Sequence, residues 1–182
     1  MIFKKDKKSN KVIEQTVIKI KTVDDIPVIK EMRKMLGNGK VKDAIIFGYN
    51  SVLSDYIKSF DGSVKKNGSS REFIINQLNN LGIKVEPGEG LVNNNKLIEA
   101  LNGIDVPDKK DNTKQNINQL YALKKLAVFY LNYYEPARYG IFDENINSEE
   151  IISKIKDVYN YMDIMALFYN DQQWCILYYF LT

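Results

Sequence analysis

An all-α fold, an irregular bundle of about five helices, follows from three features of the sequence. Apolar residues recur at three-and-four spacing over 41–60 and again over 117–134, which gathers them on one side of a helix. Capping residues precede such runs and glycines follow them. No stretch has the strand-turn-strand rhythm of a sheet, and no segment repeats at a fixed period.

The elements are expected in this order. Residues 1–21 form a basic arm whose end alternates at Ile18, Lys19, Ile20 and Lys21, consistent with a strand or an extended tail. A single helical domain then occupies 22–182. "TVDDIP" sets a capping side chain, two acids and a proline ahead of "VIKEMRKML", and "GNG" at 37–39 stops that helix. The second helix carries Val41, Ala44, Ile45, Gly48, Val52, Tyr56 and Phe60 on one stripe. A glycine inside a helix costs about 1 kcal/mol relative to alanine, so Gly48 implies the close approach of another helix. In "SSREFIINQLNNLG", Ser69 and Glu72 have capping-box spacing, Phe73, Ile74, Ile75 and Leu78 form the buried side, and Gly82 closes the helix.

Residues 83–116 change character, with Pro87, Gly88, Gly90, three consecutive asparagines and Pro107. Only "KLIEALNG" there reads as helix, one or two turns closed by Gly103. A polar connection of this length between the third and fourth main helices is either a functional loop or a surface insertion. Strong order returns in "INQLYALKKLAVFYLNYY", where Ile117, Leu120, Leu123, Ala127, Tyr130, Leu131 and Tyr134 share a face. The last helix is expected from about Asn147, with Glu150 as its capping-box partner, through "EEIISKIKDVYNYMDIMALFY".

Composition removes many functions at once. The 182 residues, 45% of them hydrophobic, suit one domain with a real core. No run reaches the roughly 18 to 20 uninterrupted apolar residues of a bilayer span, and "MIFKKDKKSN" does not read as a secretory signal. The one cysteine, Cys175, allows no internal disulfide, which favours a reducing compartment, and the expected location is cytoplasmic. Its apolar neighbours disfavour a reactive thiolate. There is no histidine, so Ser-His-Asp and Cys-His nucleophilic systems, histidine metal sites and histidine proton transfer are all excluded. Zinc does not fit the remaining donors, and no cofactor fingerprint is present. The net charge is only +3, but residues 1–40 carry 11 Lys and Arg against 5 Asp and Glu. That arm is either a solvated tail or a contact for an anionic partner.

"YYEPARYG", residues 133–140, places a proline, an ion pair and a glycine within eight positions. Pro136 lacks an amide proton and its ring presses on the carbonyl of Asn132, so an uninterrupted helix loses about 3 kcal/mol here and must kink or finish. Gly140 suits a left-handed closing residue, and Arg138 complements the negative helix end. Glu135 lies three residues before Arg138, within reach of a local pair. A partly buried Arg138 calls for a second carboxylate, with Glu72 as the candidate because it heads another core helix. Neither paired carboxylates nor a phosphate cradle accompanies these residues, since "GNGK" at 37–40 lacks the flanking pattern of a P-loop. The expected role is structural.

"GKVKDAIIFGYNSVLSDYI", "SSREFIINQL" and "LAVFYLNYYEPARYG" followed by "INSEEI" resemble, in that order, a known helical family. It is the small domain of unknown function that often ends transglutaminase-like membrane proteins of archaea and bacteria. The matching positions are Arg71, Glu72 and Phe73, then Tyr134, Glu135, Ala137, Arg138, Tyr139 and Gly140. The resemblance covers residues 39–82 and 117–160. Pro136 and the long 83–116 connection depart from the family pattern. The resemblance implies a cytosolic module working beside a membrane protein, and it brings no catalytic residues.

Two functions are therefore expected from different classes. One is a non-enzymatic module that binds another protein, with a homo-oligomer among the options. Its candidate residues are Arg71, Glu72, Phe73, Tyr134, Glu135, Arg138, Tyr139 and Gly140. The aromatic tail "WCILYYFLT", with Trp174, Tyr178, Tyr179 and Phe180, suits a protein contact or an ordinary core. The other is a passive nucleic-acid-binding or nucleotide-associated protein akin to HEPN modules. Active HEPN members resemble this chain in their helix pairs but rely on an Arg-x(4 to 6)-His motif that a histidine-free chain lacks.

Overall fold

The computed structural model describes residues 22–60, 68–85, 91–107, 115–164 and 166–168. Among them, all regular structure is helical, in seven α-helices rather than the five main ones expected. The basic arm 1–21, Cys175 and the aromatic tail lie outside the described residues.

Helix α1 (Pro27–Gly37) follows a 3-10 turn, Val23–Asp25. The Asp25 carboxylate accepts both the Thr22 amide, at 3.1 Å, and the Thr22 hydroxyl, at 3.3 Å. Pro27 sits where its missing N–H leaves no bond unmade. Ile29, Met32 and Leu36 face inward, and Gly39 turns the chain at φ 72°.

Helix α2 (Val41–Ser59) buries the expected stripe apart from Val41, which is half-buried. Gly48 faces Met32 of α1. A Cβ built there would fall 2.4 Å from Met32 Sδ and 2.6 Å from Met32 Cε, well inside van der Waals contact. Met32 is fully buried, so its tip has little room to yield. Gly48→Val should therefore cost about 2 kcal/mol through overpacking, read as a lower denaturant midpoint at unchanged slope. Pairing it with Met32→Ala should recover part of that loss. A Gly48→Val protein as stable as the parent would contradict the packing.

Helix α3 (Ser70–Asn80) opens on the expected capping box. The Glu72 amide donates to Ser69 Oγ at 3.2 Å, and the Ser69 amide donates to Glu72 Oε2 at 2.9 Å. Gly82, at φ 88°, closes it while the Ile83 amide reaches back to the Leu78 carbonyl at 2.9 Å. Asn79 then clasps Val85 through both its amide group and its side-chain carbonyl, which ties down the start of the next segment.

That segment was expected to be mostly connection, and here the expectation is corrected. Helix α4 (Leu91–Asn102) runs for 12 residues, three turns rather than one or two, and its asparagines belong to it. Leu97 and Leu101 are buried; this apolar anchor outweighs the weak helix propensity of the asparagines.

Helix α5 (Gln115–Phe129) continues into a wide π turn, Tyr130–Tyr134, and then into α6 (Glu135–Tyr139). Pro136 thus neither ends the helix nor bends a regular one. The wide turn comes just before it, and α6 restarts with the proline in its first positions, where no donor is missed.

Helix α7 (Ser148–Tyr159) is capped by Asn147, whose Oδ1 accepts the Glu149 amide at 2.9 Å. The expected capping-box role of Glu150 is not filled. Its carboxylate instead accepts the Tyr133 hydroxyl at 2.6 Å, joining α7 to the π turn. The helix also ends sooner than its apolar pattern suggests. The chain turns at 160–162, and Asp163 then caps a new turn by accepting the Ala166 amide at 3.1 Å.

Helices α1 and α2 pack together, as do α5 and α7; α2 also meets α5, α6 and α7, while α3 and α4 lean on α5. Within the core the Tyr159 hydroxyl donates to Asp55 Oδ2 at 2.6 Å, fastening α7 to α2. At the surface Asp24 meets Lys156 at 2.9 Å and Arg33 at 3.0 Å. The Lys156 hydrogen bond foremost holds the Asp24 carboxyl below its usual range.

Candidate functional site

Arg71 is the second residue of α3, and the Ser69–Glu72 box fixes the direction in which that helix starts. Its guanidinium donates to Glu135 Oε1 at the head of α6. The same oxygen accepts the Tyr130 hydroxyl at 3.2 Å, and Oε2 accepts Asn94 Nδ2 of α4 at 3.5 Å. One carboxylate therefore joins α3, α4 and the α5–α6 unit. The Arg71 and Glu135 side chains are 20% and 24% exposed, shielded enough for the pair to matter.

The wide turn makes this possible. Residues five apart lie about 140° from each other on a regular α-helix, so Tyr130 and Glu135 would point away from one another. In the π turn the Glu135 amide bonds the Tyr130 carbonyl, and the two side chains meet. Burial first, and the adjacent carboxylate second, push the Tyr130 hydroxyl up to about 12, so it stays a donor.

Behind the clasp sits a cluster of tyrosine rings. Tyr49 lies 4.1 Å from Tyr134 and 5.6 Å from Tyr130, centroid to centroid. The Tyr49 hydroxyl and Asn94 Oδ1 are buried without a hydrogen bond of normal geometry.

The structure divides the sequence-predicted residues into two groups. Arg71, Glu135 and Tyr134 come together. Phe73 is buried in the core, edge-on to Tyr56 at 6.3 Å. Glu72 is spent on its own helix cap and does not serve Arg138, which corrects the pairing expected for it. Glu135 is taken by Arg71, 64 residues away in sequence, and not by Arg138. Arg138 is exposed, with Cζ 5.9 Å above the Tyr139 ring. Gly140 ends α6 in extended conformation, φ −121° and ψ −171°, and not in the left-handed one expected. Tyr139 is 75% exposed and Ile141 fully so.

Tyr130, Asn94 and Tyr49 were missed as site residues. Tyr130 and Tyr49 belong to helices already legible from their spacing, but only the wide turn aims Tyr130 at Glu135. Asn94 lies among consecutive asparagines whose sequence reads as connection.

Chemically, a carboxylate holding an arginine, a phenol and an amide is a saturated acceptor, suited to locking helices. Among the described residues no group of three or more acids and cysteines is placed to hold a metal ion, and no helix is long and apolar enough to cross a membrane. Compared with known protein families, with curated proteins and with solved structures, the chain matches none.

Proposed function

We propose that the chain is a non-enzymatic helical module that binds another protein, in the cytoplasm and beside a membrane-associated assembly. The observation that carries this reading is the division of the 133–140 motif together with Ile141 next to it. Its inward half, Tyr134 and Glu135, is consumed in packing and in the clasp. Its outward half, Arg138, Tyr139 and Ile141, presents two large apolar side chains and a cation to solvent. Among the described residues only Ile98, at 43%, joins Tyr139 and Ile141 as an exposed large hydrophobic residue. Aromatic, aliphatic and arginine side chains grouped in this way are the usual anchors of a protein contact. The family resemblance supplies the membrane-associated setting.

The test is affinity capture from the protein's own cells with the parent chain and with Tyr139→Ser/Ile141→Ser. The parent should retain a specific partner that the double variant loses, at unchanged helicity. Capture of nothing specific by the parent, or equal capture by both, would overturn the reading.

A further inference from the structure

Helix α4 is held differently from the rest of the bundle. It and α7 are each 12 residues long. Helix α7 buries Ile151, Ile152, Ile155, Val158 and Tyr159, and it packs against α1, α2 and α5. Of the described α4 side chains, at 94–102, only Leu97 and Leu101 are buried, and Ile98 is 43% exposed. The main neighbour of α4 is α5. The asparagines at 93–95 add little helix propensity of their own.

Polar contact is weak along α4 and firm at its two ends. Asn94 Nδ2 reaches Glu135 Oε2 at 3.5 Å, a long bond, and Asn94 Oδ1 is buried without a donor. A buried acceptor in that state gains a hydrogen bond once water reaches it. Before α4, the Asn79 side chain holds the Val85 amide at 2.8 Å and the Val85 carbonyl at 3.2 Å. After α4, Lys124 of α5 donates to the Ile104 carbonyl, and the Tyr161 hydroxyl donates to the Pro107 carbonyl.

A helix lightly packed between two fastened ends has the makings of a local opening unit. We propose that α4 is a strap that lifts from α5 as one piece while the other helices stay folded, with Val85 and residues 104–107 as its fixed points. Lifting brings Leu97 and Leu101 to water, which opposes it, and gives Asn94 Oδ1 a donor, which favours it. It also frees Glu135 Oε2, the oxygen that Asn94 occupies, while the Arg71 and Tyr130 bonds to Oε1 remain. The clasp between α3 and α6 therefore outlasts the opening and is uncovered by it.

The experiment is amide hydrogen exchange of the full chain at neutral pH over a series of low urea concentrations. The amides of 95–103 should share one opening constant, about 100-fold larger than that of the α2 and α7 amides. Their dependence on urea should be shallow, because lifting exposes little surface. Two variants separate lifting from global unfolding. Leu97→Ala removes packing that only the seated helix makes, and should speed α4 exchange by about 30-fold or more; Leu101→Val gives a milder form of the same readout where the first variant folds poorly. Val158→Ala weakens α7, which stays packed when α4 lifts, so it should speed the α2 and α7 amides and leave those of α4 unchanged. Three results would overturn the inference: α4 amides that exchange no faster than those of α2 and α7, rates graded inward from the helix ends, or α4 amides that follow α7 in Val158→Ala. None of these depends on whether the chain captures a partner.

Discussion

Above pH 10 the protein should lose stability steeply and unfold near pH 12. Tyr49, Tyr56 and Tyr159 are all fully buried, and burial is the first cause that raises each hydroxyl far above its ordinary value, with Asp55 adding to the effect at Tyr159. In the unfolded chain a tyrosine releases its proton near pH 10. Between that point and the folded value, the native state holds protons that the unfolded state has given up. Stability is therefore fully present below pH 10 and falls as pH rises. Each such tyrosine contributes a slope of about 1.4 kcal/mol per pH unit, and three together give about 4 kcal/mol per unit. Against a total stability of roughly 5 to 15 kcal/mol, two to three units suffice. Tyr130 and Tyr133, each pushed up to about 12, steepen the early part of the fall. Phenolate absorbance and helical ellipticity, followed together, check this. A share of the phenolate signal should appear only as helicity collapses. Complete ionisation near pH 10 with the helices intact would refute the packing of these rings.

Glu135→Ala should destabilise the fold by about 3 kcal/mol, close to the range for breaking a shielded ion pair. For a chain of this size, that lowers the melting temperature by about 10 °C. The loss is large because the carboxylate has three donors. Its removal leaves the Arg71 guanidinium without its acid, and the Tyr130 hydroxyl and Asn94 amide without an acceptor. Arg71→Met added to Glu135→Ala should cost less than the sum of the two single variants, since both remove the same ion pair. That sign of coupling is the measurement to make. A single variant within about 0.5 kcal/mol of the parent would mean that the clasp is an ordinary surface pair.

What could be read from the sequence was local. The Ser69–Glu72 cap, the closing glycines at 39 and 82 and the close approach at Gly48 each depend on a few neighbouring residues, and each is in place. What could not be read depended on how distant helices are turned toward one another. Glu135 looked satisfied by Arg138, three residues on, because the matching Arg71 becomes its neighbour only once α3 lies against α5. The asparagines of α4 argued against a helix whose two buried leucines were enough to hold it. Pro136 announced an interruption but not its form, and a π turn has no pattern in the sequence comparable to a cap. The wide turn then decided the rest of the site, by carrying Glu135 round to Tyr130.

That turn also sets a phase. One residue advances a helix by about 100°, and the loop of wide backbone absorbs the extra residue, so everything after it keeps its angle. Asn132, whose side chain is exposed, lies within that loop. Excising it would leave Tyr130 and Glu135 four positions apart, about 40° from each other on a regular helix, so the winding would become regular and Glu135 would still face its partners. The bulge is thus one residue of slack: the same helix with or without it keeps the carboxylate on the same side.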